Sequence, residues 1–186
     1  MLRWPVRPDI DLRLPEERDA DELLAVIEDN RERLEEWLHW AHSTHTREDV
    51  LKFVQMARRD FQKPDGLHLL IVHQGRIIGG SGFVVFNELS NYGEIGYWIA
   101  TEFSGNGIVT DCCRALINYA FCEMQLNRVQ IRCATANARS AAIARRLGFL
   151  HEGTLRQTIR TNNRLDDEHC FGLLRSEWAK AKAAAG

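Results

Sequence analysis

Apolar and charged positions alternate from Ile10 to Leu14, a period of two that predicts a short strand, and Pro15 ends it. The period then changes. Leu23, Leu24, Ile27, Leu34, Trp37 and Leu38 recur at helical spacing, so residues 16–40 predict one broken helix or two. Thr46 with Asp49 three residues on reads as a shortened capping box, opening a helix that carries Val50, Phe53, Val54 and Met56 and ends near Phe61. Pro64-Asp65-Gly66 is a turn signal. A meander follows: strands at 67–73 and 77–86 around the tight turn Gln74-Gly75-Arg76, a loop at 87–91, and a strand at 92–99 with Ile95, Tyr97 and Ile99 on one face. A short glycine-containing loop at 100–107 leads into a long helix at 108–124, about 25 Å at the helical rise. Val129, Ile131 and Cys133 alternate on another strand. A short helix at 137–147 is closed by Gly148, and two strands, 151–160 and 169–174, flank the turn Asn162-Asn163. The tail from Ala179 to Gly186 reads as frayed. Strand, helices, antiparallel meander, helix, strand, helix and hairpin make an α+β protein with a mixed, largely antiparallel sheet.

Composition narrows the functional classes. The 186 residues fit one domain, 1–186, long enough to bury a core without staples. A formal net charge of −2 gives no ground for direct nucleic-acid binding or for an anionic membrane. No run reaches the roughly 18 apolar residues of a membrane helix, and no apolar leader opens the chain. The five cysteines, an odd number with no Cys-x-x-Cys pair, predict reduced thiols packed as small apolar groups and no structural zinc. His39, His42 and His45 recur every third residue, but no acid or cysteine cluster completes a metal site. These features predict a cytoplasmic protein without a metal.

Two segments carry chemistry. In Ser104-Gly105-Asn106-Gly107-Ile108-Val109-Thr110 a strand passes through glycines into a helix N-terminus. Glycine permits φ > 0 and close approach by a ligand, and the first helical N–H groups have no internal partner. Such a junction binds phosphate oxygens, although a tight turn alone also explains Gly-x-Gly. No Gly-Lys-Ser/Thr follows, and the third glycine of a dinucleotide fingerprint is absent. The second segment runs from Asn137 to Phe149. Asn137 is placed to cap its helix, Ser140 and Ala144 share a face, and Arg145 and Arg146 offer phosphate contacts.

Together, in this order and about 30 residues apart, these segments resemble the GCN5-related N-acetyltransferase (GNAT) superfamily. That family's loop reads Arg/Gln-x-x-Gly-x-Gly/Ala. Here it falls on Ser104, Gly107 and Val109, so the central glycine matches and position 104 lacks its basic contact. The closer likeness is to the RimJ/RimL branch. Leu34 to Trp40 with Thr46 to Asp49, Glu94 to Ile99, and Asn137 to Phe149 with Glu152-Gly153 are similar to its acceptor-side helices, central strand and C-terminal half.

The resemblance implies helices on both faces of the sheet and acetyl-CoA as cosubstrate. Trp98 and Ile99 would pair with the pantetheine arm. Ser104, Gly105, Asn106, Gly107, Ile108 and Val109 would hold the pyrophosphate, joined by Arg145, and Asn137 would bond the pantetheine. The family's usual tyrosine acid falls on Ala144, so Ser140, one turn earlier, takes its place. Direct attack by a neutral amine makes Cys133 unnecessary as a nucleophile. An α-amine of pKa about 7.8 is roughly 14% neutral at pH 7, whereas a lysine amine at about 10.4 is neutral to only about 0.04%, a deficit of roughly 4.6 kcal/mol. Glu94, and after it Glu102, are the candidate bases. The implied acceptor is a primary amine, first the N-terminus of a ribosomal-type protein. A small amine (a polyamine, an aminoglycoside or a toxic aminoacyl compound) and a non-catalytic acyl-CoA-binding module stay open. Glu35, Glu36 and Glu48 offer attraction to a cationic acceptor. The branch also implies a homodimer as the assembly to test.

Overall fold

The computed structural model describes residues 3–63, 65–162 and 164–185. Eight strands form one sheet: β1 (Arg3–Arg7), β2 (Ile10–Arg13), β3 (Leu67–His73), β4 (Arg76–Asn87), β5 (Tyr92–Ile99), β6 (Arg128–Ala134), β7 (Leu150–Thr161) and β8 (Arg164–Leu174). Their spatial order is β1-β2-β3-β4-β5-β6-β8-β7. Every neighbouring pair is antiparallel except β5 and β6. The helices are α1 (Ala20–Asp29), α2 (Arg31–Trp37), α3 (Arg47–Gln62), α4 (Ile108–Cys122), α5 (Ala138–Arg146) and α6 (Arg175–Ala185).

Alternation along the strands builds two cores. Ile95 of β5, Val129, Ile131 and Cys133 of β6 and Phe171 of β8 pack with Cys112, Leu116 and Phe121 of α4 on one face. On the other face Leu70, Val72 and Ile77 pack with Leu23 and Ile27 of α1 and Val54 of α3. The expected α+β sheet with helices on both faces is therefore present.

The long N-terminal helical pattern divides at Asn30, whose backbone leaves helical geometry at φ −120° and ψ 10°. The Asn30 side chain donates to the Val26 carbonyl and accepts from the Thr101 amide at 2.8 Å. A composition-level break thus fixes α2 against the loop after β5. The Thr46–Asp49 capping box is formed in both directions. The turn after β3 holds Gln74 and Gly75 at φ 49° and 88°, the conformation of a two-residue hairpin.

The chain's ends depart from the expectation. Arg3–Arg7 adds a strand that the sequence reading lacked, and the frayed tail is helical from Arg175 to Ala185. Trp178 anchors it, with its ring 5.3 Å from Phe121, and alanine favours the helix beyond. Pro64, Asn163 and Gly186, within the predicted turns and tail, lie outside the described residues.

Replacing Thr46 with Ala removes the cap of α3. It should cost about 1 kcal/mol in urea-induced unfolding and leave ligand binding unchanged.

Candidate functional site

The site begins where pairing between β5 and β6 stops. The two strands are in register at Tyr92–Arg128, Gly93–Val129 and Glu94–Gln130. Beyond Glu94, β5 stays with β4 as far as Ile99, while β6 stays with β8 as far as Ala134. The strands diverge, and residues 95–99 of β5 have no partner strand on that side. A β4 bulge, in which Phe83 and Val85 face Ile95 and Glu94, lies opposite the fork. An exposed edge of this kind accepts an extended ligand that carries its own amides.

A cavity of about 520 Å³ occupies the fork, lined by Trp98, Tyr97, Cys133, Asn137 and Ser140 among others. A second, of about 340 Å³, adjoins it through Ile99 and Val109 and follows the turn into α4. There Gly107 caps α4 at φ 75°, and Gly105 lies at φ 86°. No side chain caps this helix, so its first amides face the cavity with the positive end of the dipole. Gly80, directly across from Trp98, seats the indole: a Cβ there would come within 2.7 Å of its Nε1.

Cations surround the turn. Arg33 of α2 donates from Nη1 to the Ser104 hydroxyl at 2.7 Å, and Arg146 donates to the Thr110 hydroxyl at 3.2 Å. Arg33 and Arg139 line both cavities. Burial and the nearby Arg139 charge hold the Arg33 guanidinium below its ordinary pKa. Two cations held this close favour an anion between them. Position 104 therefore has its basic contact, supplied by a residue 71 positions away.

The predicted site residues divide accordingly. Trp98, Ile99, Ser104, Gly105, Gly107, Ile108, Val109, Asn137 and Ser140 line the two cavities. Asn106 does not. Its side chain donates to the Phe103 carbonyl, and its own carbonyl accepts from Arg7. Arg145 lies over the Phe171 ring at 5.4 Å and, against the expectation, lines neither cavity. Helical phase explains it, since Arg139, Ala142, Ile143 and Arg146 share the face that lines the second cavity. Glu102 is also outside, exposed and 3.9 Å from Arg76.

At the apex of the fork Glu94 is buried and, like Glu102, lines neither cavity; its partner Arg132 does line the first. Glu94 Oε2 accepts from Arg132 Nε and Gln130 Nε2, both at 2.8 Å. Arg132 also donates to buried Glu168 at 3.2 Å, and Thr158 of β7 donates to the same carboxylate. This network lies on the face opposite α4 and α5, so the fork has two chemically distinct sides. Of the three acids offered for a cationic acceptor, only Glu36 lines the cavity. Glu35 pairs with Arg31, and Glu48 with Lys52.

On the α5 side, the Asn137 side chain accepts from the Ser140 amide at 3.0 Å, capping the helix. Ser140 and Tyr97 share a hydroxyl–hydroxyl hydrogen bond of 2.8 Å. Tyr97 was legible only as a face residue of its strand; nothing in the sequence pairs it with position 140. Among the described residues no group of three or more His, Cys, Asp or Glu could hold a metal, and no helix is long and apolar enough to cross a membrane.

A strand edge open for an amide-bearing arm, leading to unpaired helix amides ringed by arginines, is the layout of an acyltransferase whose donor hangs from a diphosphate carrier. Sequence comparison agrees, and the chain belongs to the GNAT family: residues 9–150 match the model of the acetyltransferase (GNAT) domain. It falls in the RimJ/RimL-type branch and is an N-acetyltransferase by class. It is 36% identical over 183 residues (98% of this chain, all of the other) to YdaF of Bacillus subtilis (strain 168), whose name marks it as a candidate ribosomal N-acetyltransferase. It is 29% identical to the ribosomal-protein-serine acetyltransferase of Escherichia coli (strain K12), over 89% of this chain and 93% of that one. Among solved structures, RimL, the ribosomal L7/L12 α-N-protein acetyltransferase, aligns with a TM-score of 0.90 at 26% identity, over 95% of this chain and 99% of that one. That structure holds coenzyme A in disulfide linkage to a cysteine.

The thiols give a direct check on the geometry. Cys122 is exposed, whereas Cys112 and Cys113 are buried and burial pushes both thiols up, Cys112 to about 12. At pH 8 an aromatic disulfide reagent should label Cys122 within the first mixing phase and reach Cys112 and Cys113 only after unfolding. Peptide mapping by mass spectrometry reads the order.

Proposed function

We propose that this protein transfers the acetyl group of acetyl-CoA to the α-amine at the N-terminus of a protein or peptide of ribosomal type. The observation that carries this reading is the fork itself: one side leads to the anion cradle at Gly107, and the other opens toward α2 and β7. The donor's pantetheine amides would extend the free edge at Trp98 and Ile99. Its diphosphate would lie on the amides of Gly107, Ile108 and Val109, with Arg33, Arg139 and Arg146 around it. Asn137 would hold the arm beside α5. Acetyl-CoA and coenzyme A in the related structures support the fit. The unpaired thiols suit a reducing, cytoplasmic setting. We read residues 1–186 as one catalytic domain, with a homodimer as the assembly to test.

In this reading the acceptor amine attacks the thioester carbon on the Glu94 side. Glu94 accepts the amine's proton through an ordered water, using the oxygen not bonded to Arg132 and Gln130. Its position at the apex favours it over Glu102. The thioester oxygen gains charge as the amine bonds, and the free amides near Ile99 can stabilise it. Ser140, on the opposite side, donates to the departing sulfur.

The charges lining the fork bear on the acceptor. Arg33 and Arg139 line the cavity with Glu36, while the third arginine there, Arg132, is held by Glu94 and Glu168. A polycation such as a polyamine gains little there. A second reading, an aminoacyl small molecule, has one supporting observation. The microcin C7 self-immunity acetyltransferase MccE, solved with acetyl-CoA and AMP, aligns with a TM-score of 0.86 at 26% identity, over 91% of this chain and 94% of that one.

Coenzyme A release measured over a panel of N-terminal peptides, aminoacyl adenylate analogues, polyamines and aminoglycosides should be fastest with the peptides. Faster release with an adenylate analogue favours the second reading, and coenzyme binding without release over the whole panel leaves a binding module. Gly107→Glu should weaken acetyl-CoA binding at least about tenfold by calorimetry, through charge and through strain at positive φ. Ser140→Ala should lower kcat by more than about tenfold while KM for acetyl-CoA holds; unchanged turnover removes Ser140 from the reaction.

A further inference from the structure

We propose that Tyr97 is the positioning residue for Ser140, its phenol donating to the serine hydroxyl so that the serine's own proton faces the departing sulfur. This rests on the acetyl-transfer reading above and deepens it. Tyr97 rises from β5 at the open edge, and its oxygen lies 2.8 Å from Ser140 Oγ and 3.3 Å from the Ser140 carbonyl. Both side chains line the same cavity. The phenol's single proton has two acceptors within reach, both on residue 140, and the hydroxyl is the nearer.

A serine hydroxyl carries one proton and two lone pairs. Inside a helix that proton can turn back to the carbonyl four residues earlier. Ser140 is the third residue of α5, so the helix offers no such carbonyl. Ser140 instead bonds to Tyr97, and Cys133 lines the same cavity. If Ser140 donated to the phenol, it would have no proton for the leaving group. A phenol that donates takes up a serine lone pair and leaves the serine proton free. Thiolate formation favours the same orientation, because the anion is a better acceptor than a phenol.

The environment keeps Tyr97 a donor. Burial holds its phenol above the usual tyrosine range, so the phenolate is strongly disfavoured. Tyr97 therefore polarises Ser140 without giving up its proton. Across the whole reaction the C–N bond forms, the C–S bond breaks, nitrogen loses one proton and sulfur gains one. Tyr97 and Ser140 end as they began.

Steady-state kinetics on wild type, Tyr97→Phe, Ser140→Ala and the double variant test this, with acetyl-CoA and the best peptide of the panel. Phenylalanine keeps the ring and removes only the oxygen. Tyr97→Phe should lower kcat about tenfold, with KM for acetyl-CoA and Kd for coenzyme A within about twofold of wild type. In the Ser140→Ala background the same change should cost nothing further, because the hydroxyl it orients is gone. Wild-type kcat for Tyr97→Phe, or deficits that multiply in the double variant, overturns the role. If Tyr97→Phe does not fold, 3-fluorotyrosine placed at 97 keeps the shape and strengthens the donor. It should then raise kcat in wild type and not in Ser140→Ala, and equal kcat in both overturns the role. Wild-type turnover in Ser140→Ala instead sinks the serine assignment above. A slow Ser140→Ala beside a normal Tyr97→Phe sinks only the tyrosine.

Discussion

The loss of pairing between β5 and β6 beyond Glu94 and Gln130 is the constraint on which the site depends. Two adjacent strands in the middle of a sheet rarely separate, because each gives up backbone hydrogen bonds. Here β4 and β8 hold the two strands apart by continuing to pair with them. Side chains then brace the gap on both faces. Tyr97 reaches Ser140 on the α5 side, and Glu94 and Glu168 grip Arg132 on the other. The backbone groups left along residues 95–99 give the fold its capacity to bind an extended partner. The same feature that weakens the sheet creates the site.

The electrostatics follow the fork's geometry. At the α4 end the positive charges exceed their counter-charges: burial and the nearby Arg139 hold the Arg33 guanidinium below its ordinary pKa, and the helix amides add to the same field. That arrangement costs stability until an anion arrives and relieves it. At the apex the opposite holds. Two buried carboxylates would be prohibitively costly alone, and Arg132 lies between them. One end is built to receive charge and the other to hold its own charges fixed. A ligand with a diphosphate at one end and a neutral reactive group at the other fits that polarity in one direction only.

Much of this was legible in the sequence because it is local. The capping box at Thr46, the cap at Asn137, the glycine turn into α4 and the alternation on β5 each depend on residues within one turn or one strand. What escaped is mostly non-local. Arg33 supplies the cation missing from position 104 across 71 residues, and no spacing rule connects them. Tyr97 and Ser140 are 43 apart and meet only because α5 folds back over β5. At Arg145 the reading is local but sensitive to phase: the two adjacent arginines differ by about 100° around the helix, and Arg146 is the one in phase with Arg139. The tail misled for another reason. Its alanine-rich composition looks featureless, and the single anchoring tryptophan decides that it folds as a helix.

The apex network also bears on which amines the proposed reaction can use. Glu94 Oε2 already accepts two hydrogen bonds, so only the other carboxylate oxygen is left to take a proton from an amine. An α-amine needs little help, since roughly 14% of it is already neutral at pH 7. A lysine side chain starts about 3.5 kcal/mol further from its neutral form. Freeing Glu94 from Arg132 would offer both of its oxygens, yet it would leave a buried carboxylate unpaired and slacken the brace across the fork. The ion pair that stabilises the split sheet therefore fixes which oxygen can meet an amine, and in the proposed reading the smaller cost of neutralising an α-amine favours N-terminal amines before any side chain of the acceptor is read.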